Sequence, residues 1–247
     1  SLEQTRATVD AVAEARVPLQ VAFMRRFDPA FRQAKDAIQA GRIGQPVTFK
    51  AVNRDPVCPR PEFADPAHSG GLVIDMGIHD FDVARWLMSS EVESVSAEGS
   101  LLACPDLATV GDIDNAIVNL RFSNGALGNL ELSRNARYGF DVRTEVLGTD
   151  GAVIAGDFPV SGADIGAARL LSSVPAGGPD ETPHFVRRFA LAYRAQIEDF
   201  VDALQQQRTP SIGGAEALAA FEIAHAATLS WQQQRPVALT EMRAAGG

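Results

Sequence analysis

The stretch AIVNLRFSNGALGNLEL, residues 116–132, decides the fold. Two apolar-rich runs, Ala116–Phe122 and Ala126–Leu132, flank Asn124-Gly125. Asn-Gly readily takes the left-handed backbone conformations of a tight hairpin turn, so the stretch reads as two antiparallel strands. The same signal recurs at Asp150-Gly151, between Thr144–Leu147 and Ala152–Ile154. Together these hairpins anchor a β-rich block from about Val92 to Ala155.

Helical signals surround that block. Ser1 is placed to cap a helix whose apolar stripe (Leu2, Val9, Val12, Ala13) runs to about Ala15. Val17 to Phe23 reads as a short buried strand with Pro18 at its start, where a missing N–H is tolerated. Asp28-Pro29 opens a helix that ends near Ala40 at Gly41, and Val47 to Asn53 is strand-like. Residues 54–69 are proline-rich and read as a loop. Gly70-Gly71 precedes one long apolar helix, Leu72 to Met88. Residues 156–183 are rich in glycine and proline, with a weak strand near Arg169–Ser172. Helices over about 184–206 and 213–233 close the chain. The order implies an α+β fold: an open, mostly antiparallel sheet with helices on one face. The other face is left to water or to a partner chain. IDNAIVNLRF, residues 113–122, alternates weakly, which points to a homo-oligomer packed sheet to sheet.

Composition narrows the function. The 247 residues carry 31 acids against 22 bases, a net charge of −9. That balance argues against a nucleic-acid or anionic-membrane partner, which needs a basic patch, and favours a cytoplasmic protein. No apolar run approaches the roughly 18 residues of a membrane span, and SLEQTRATVD is no signal peptide. Cys58 and Cys104 are far apart and outside any metal-binding spacing, so they read as two reduced thiols.

The residues best placed for chemistry are Asp75 and His79, four apart and hence on one helix face. A carboxylate beside a histidine can fix the imidazole tautomer for acid/base work. Asp82 lies near that face and Asp80 points elsewhere. The plainer interpretation makes Asp75 a helix cap and His79 a satisfied core residue. A third makes Asp75, His79 and Asp82 metal ligands of a hydrolase or isomerase, although one more ligand would be needed. Arg25 and Arg26 follow the first apolar strand, where ligand contacts often sit. One of them is expected to pair with Asp28 or a helix end. Asn53-Arg54-Asp55-Pro56 ends a strand, and Arg137-Tyr138-Gly139-Phe140 joins two strands. His68, His184 and His225 have no evident partner in sequence. The chain contains no G-x-G-x-x-G, P-loop or G-x-S-x-G.

In order along nearly the whole chain, several segments resemble the glucose–fructose oxidoreductase / inositol dehydrogenase (Gfo/Idh/MocA) family. They are VAFMRRFDPAFRQAKDAIQAGRIGQP (21–46), GGLVIDMGIHDFDVARWL (70–87), RYGFDVRTEVLGTDGAV (137–153) and a last helix ending in Arg235-Pro236-Val237. The resemblance implies that residues 1–24 are a helix-strand remnant of a Rossmann domain and residues 25–247 a substrate-binding and oligomerisation domain. It implies an NAD- or NADP-dependent oxidoreductase acting on the CH–OH group of a polyol or sugar. Asp75 and His79 match the acid/base pair, with Asp75 orienting His79. Met24, Arg25, Asn53, Asp55 and Tyr138 match the polyol pocket; Phe140 stands where some members have a second tyrosine. The family's glycine-rich loop and Glu-Lys-Pro lysine are expected upstream of Ser1, and neither Lys35 nor Lys50 sits in such a motif. The chain alone is therefore expected to bind no cofactor and to be without turnover. The competing expectation is a stand-alone sugar-binding or scaffold module.

Overall fold

The computed structural model describes residues 1–156, 163–165, 168–170 and 184–244. Its elements in order are α1 (Leu2–Ala15), a 3-10 turn (Met24–Phe27), α2 (Pro29–Gln39), β1 (Pro46–Arg54), α3 (Pro61–Ala64), α4 (Pro66–Ser69), α5 (Gly71–Asp75), α6 (Ile78–Met88) and β2 (Val92–Ser100). After a second 3-10 turn (Pro105–Val110) come β3 (Asn115–Phe122), β4 (Leu127–Ser133), β5 (Asp141–Gly148), β6 (Ala152–Gly156), β7 (Ala163–Ile165) and β8 (Ala168–Leu170). The chain closes with α7 (His184–Arg188), α8 (Ala190–Gln205), α9 (Gly214–Gln233), β9 (Val237–Ala238) and α10 (Leu239–Ala244).

Seven strands form one open sheet in the order β6-β5-β1-β4-β3-β2-β9. Every pairing is antiparallel except β1 with β4. The expected α+β architecture holds, and both hairpin signals act as expected. Gly125 takes φ +88° between β3 and β4. Gly148 N–H donates to Gly151 C=O across the β5–β6 turn. α2, α6 and α9 pack on one face of the sheet. Between them lie the fully buried Phe31, Phe49, Phe81, Phe122 and Leu130, each worth about 1.5–3 kcal/mol over an exposed position. The opposite face shows Ile117, Leu127, Leu147 and Ile154 to solvent, 42–53% exposed.

Four expectations need correction. Val17–Phe23 is no strand: Val21 N–H donates to Ile212 C=O at 2.9 Å, but no ladder forms. Val17 is 53% exposed. An apolar run becomes a strand only where a neighbour can take its backbone groups. The proline-rich 54–69 segment holds two short helices, because Pro61 and Pro66 stand at first helical positions, where no N–H is needed. The single helix over 72–88 is two, interrupted at Met76-Gly77. Finally, Cys58 and Cys104 form a disulfide across 46 residues of sequence. Spacing gave no sign of it, because the fold rather than local sequence brings the two loops together. The weak strand near Arg169–Ser172 is observed as β8 through Leu170, and its last two residues lie outside the described ones.

Candidate active site

Two elements aim the first group of side chains. Asp28 caps α2, accepting from Ala30 N–H at 3.0 Å, and is itself held by Arg188 at 2.6 Å. This fixes the preceding 3-10 turn, in which Met24 and Arg25 are buried. Neither Arg25 nor Arg26 pairs with Asp28. Arg25 reaches Asp80 on α6, and Arg26 binds Asp82 through two nitrogens.

Strand alternation on β1 supplies the third partner. Phe49, Ala51 and Asn53 face the helices, while Lys50, Val52 and Arg54 face outward. Asn53 Nδ2 donates to Asp80 Oδ2 at 2.7 Å and to Met76 C=O at 3.1 Å. Arg25, Asn53 and Asp80 are each at most 4% exposed. They form a closed ion-pair and amide cluster, with the Phe189 ring 5.9 Å from the Arg25 guanidinium. Asp80, expected to point elsewhere, is thus the hub.

His79 lies beside this cluster, its ring edge-on to Phe23 at 6.2 Å. Its Nδ1 is buried without a hydrogen-bond partner among the described residues. Burial, reinforced by repulsion from Arg25, pushes its pKa down to about 3. The imidazole is therefore neutral at pH 7.

Asp75 ends α5 and turns to Arg134, with Nη2 to Oδ2 at 3.3 Å. Among the described residues no hydrogen bond joins it to His79. Burial raises its pKa; Arg134 opposes the rise, while the nearby Asp55 and Asp112 reinforce it. Asp82 is engaged by Arg26, and no three His, Cys, Asp or Glu side chains converge as metal ligands among the described residues.

Tyr138 belongs to a separate network. Arg54 donates to its hydroxyl at 2.6 Å, and the hydroxyl donates to buried Asp141 at 2.8 Å. Arg54 also pairs with Glu131, and Arg143 with Asp141. Arg54, Glu131 and Arg143 belong to the outward row of the sheet, so the Tyr138 hydroxyl is not brought to His79. Phe140 goes the other way, edge-on to Phe189 at 6.4 Å and so toward Arg25. The structure therefore joins Arg25 and Asn53 through Asp80 with His79 alongside, buries Met24 in the turn next to Arg25, sets Asp75 against Arg134 with Asp55 near Asp75, and ties Tyr138 to Arg54 and Asp141. Sequence reasoning missed Asp80, Arg134 and Asp112. A buried Arg leaving one strand and an Asp leading into its neighbour give only a weak signal.

Known proteins share the sequence pattern and the fold of this chain. A family model described as "Oxidoreductase family, C-terminal alpha/beta domain" matches residues 35–239. The chain is 39% identical over 247 residues to scyllo-inositol 2-dehydrogenase (NAD(+)) of Bacillus subtilis, covering all of this chain and 70% of that protein. It is 34% identical to myo-inositol 2-dehydrogenase of Thermotoga maritima, over 95% of this chain and 68% of that one. The crystal structure of scyllo-inositol dehydrogenase from Lactobacillus casei with bound NAD(H) and scyllo-inositol superposes with a TM-score of 0.83. It is 27% identical, and the match covers 97% of this chain and 70% of that one.

Proposed function

Because the chain belongs to the Gfo/Idh/MocA oxidoreductase family and carries its C-terminal alpha/beta domain, we propose that it is the substrate-binding part of an NAD- or NADP-dependent dehydrogenase of inositols or similar polyols. Residues 25–247 hold the substrate, and residues 1–24 belong with the cofactor-binding part. The observation that carries this reading is the Arg25–Asn53–Asp80 cluster beside a neutral His79 whose Nδ1 has no hydrogen-bond partner among the described residues. A polyol offers adjacent hydroxyls, each both donor and acceptor. Arg25 is donor-only, Asp75 acceptor-only, and Asn53, whose two amide protons go to Asp80 and Met76, keeps its Oδ1 to accept.

The nicotinamide, when bound, takes hydride from the carbon bearing the hydroxyl. The chain has no glycine-rich phosphate loop, and its own residues handle the proton. Neutral His79 is in the right state to accept the hydroxyl proton. Burial and Arg25 disfavour its imidazolium, which makes it a transient acceptor and, in the reverse direction, a strong donor to a carbonyl. Asp75 supplies the negative charge on the other side. A second copy of the chain covers the outward sheet face, where Ile117, Leu127, Leu147 and Ile154 are exposed.

Calorimetric titration of the chain with scyllo- and myo-inositol tests the reading. Binding that is lost in Asn53→Leu is expected, without NAD+ reduction by the chain alone. Joined to the part of the Bacillus subtilis enzyme that the match leaves uncovered, the chain should reduce NAD+ when inositol is added. Binding without turnover in the joined protein would instead make this a sugar-binding module. No binding of any inositol or sugar overturns both.

A further inference from the structure

α5 has only five residues, too few to hold a reacting carboxylate steady at its C-terminal end. A brace spans it. Asp112 Oδ1 accepts from Leu72 N–H at 3.0 Å in the first turn. Asp112 Oδ2 accepts from Arg134 Nη2 at 3.4 Å, and the same nitrogen lies 3.3 Å from Asp75 Oδ2 at the far end. Asp112 thus ties the start of α5 to the arginine that holds its finish. Gly71 (φ +77°) is needed there, because a Cβ would stand 2.8 Å from Asp112 Oδ1. Gly71 is thereby explained as room for the brace, while at Gly70 a Cβ would meet Ile74.

The brace is itself anchored. Arg134 is 1% exposed, and its N–H donates to Asp114 C=O at 2.9 Å. The Asp114 carboxylate accepts N–H groups from Leu102, Ala103 and Cys104. Asp75, by contrast, keeps 30% of its side chain open. A buried guanidinium fixed from behind and touching a part-open carboxylate in front is built to position that carboxylate.

We propose that Arg134, clamped by Asp112, is a positioning residue that sets the place and the ionisation of Asp75. The proposal rests on the reading that Asp75 belongs to the reacting pair. The charged groups acting on Asp75 are Arg134, Asp112 and Asp55. On α4, α6 and α9, which also pack against α5, His68 pairs with Asp65, Asp80 with Arg25, Asp82 with Arg26 and Glu222 with Arg6. Arg85 pairs with Glu91, Glu216 accepts from Gly213 N–H, and His225 stacks on Phe221. Arg134 is thus the cation set between the Asp75 and Asp112 carboxylates.

The test is a carbon-13 NMR titration of the Asp75 carboxyl in the intact chain, with inositol binding measured on the same samples. Arg134→Met removes the cation, so the Asp75 midpoint should rise by about one pH unit and inositol affinity at neutral pH should fall about tenfold. Arg134→Lys should restore most of both. Should Arg134→Met fail to fold, Asp112→Asn carries the test, since its amide oxygen can still accept from Leu72. It removes a like charge, so the Asp75 midpoint should fall. A midpoint unmoved in Asp112→Asn and in the folded Arg134 variants overturns the proposal. Asp75→Asn separates the two readings. If it leaves inositol binding unchanged, the role given to Asp75 fails; if it weakens binding while Arg134 and Asp112 variants do nothing, only the brace fails.

Discussion

Asn53 and Arg54 are neighbours on β1 with opposite surroundings. Asn53 is buried and locked to Asp80 and the Met76 carbonyl among the helices. Arg54 sits on the outward row with Glu131 and Tyr138, its side chain 22% exposed. The pleat sorts consecutive polar residues to two faces, and burial then decides how much each ion pair matters. On the inner side, removing one partner strands a desolvated charge; on the outer side, water takes over.

The largest expected effect follows from that difference. Arg25→Met leaves Asp80, which is fully buried, without its cation, and should cost about 3–5 kcal/mol in denaturant unfolding. Loss of less than about 1 kcal/mol would mean that the inner cluster is not the rigid one. Reduction of Cys58–Cys104 comes next. It frees the loop after β1 from the loop after β2, on a closure of 46 residues, and should cost about 2–4 kcal/mol. Hydrogen exchange should then rise over residues 55–69 while the Arg54–Glu131 side of the sheet stays protected. Uniform loosening would erase the distinction.

His79 gives a pH-dependent version of the same contrast. Its folded pKa is depressed to about 3, below the unfolded value near 6.5. The unfolded chain therefore binds the proton first as pH falls, and stability declines between about pH 6.5 and pH 3 by up to about 1.4 kcal/mol per unit. His79→Gln should flatten that contribution, and an unchanged slope in thermal melts would contradict the neutral, partly buried imidazole. The smallest effect belongs to the outer face. Glu131→Gln should change stability by less than about 1 kcal/mol and respond to salt.

Much of the fold was legible because its signals are local. Asn124-Gly125 and Asp150-Gly151 mark the hairpins, and Asp28-Pro29 marks the start of α2. Local signals failed where tertiary context decides. Val17–Phe23 has the composition of a strand but no ladder. The apolar run 72–88 continues through Met76-Gly77 in composition but not in helix, so counting four from Asp75 to His79 crossed a break, and no hydrogen bond joins the two among the described residues. The disulfide and the Arg134 brace join residues from distant loops, which no spacing rule reaches. Within the candidate site, Arg25, Asn53 and His79 were found because motif and strand end pointed there; their shared partner Asp80 was not.

The central claim is that ligand chemistry belongs to the inner side of β1. Backbone and side-chain NMR shifts on titrating the chain with scyllo- or myo-inositol test it most directly. Shifts concentrated at Arg25, Asn53, Asp75 and His79, with Arg54, Glu131 and Arg143 silent, are predicted. Shifts centred on Arg54, Glu131 and Arg143 would contradict it.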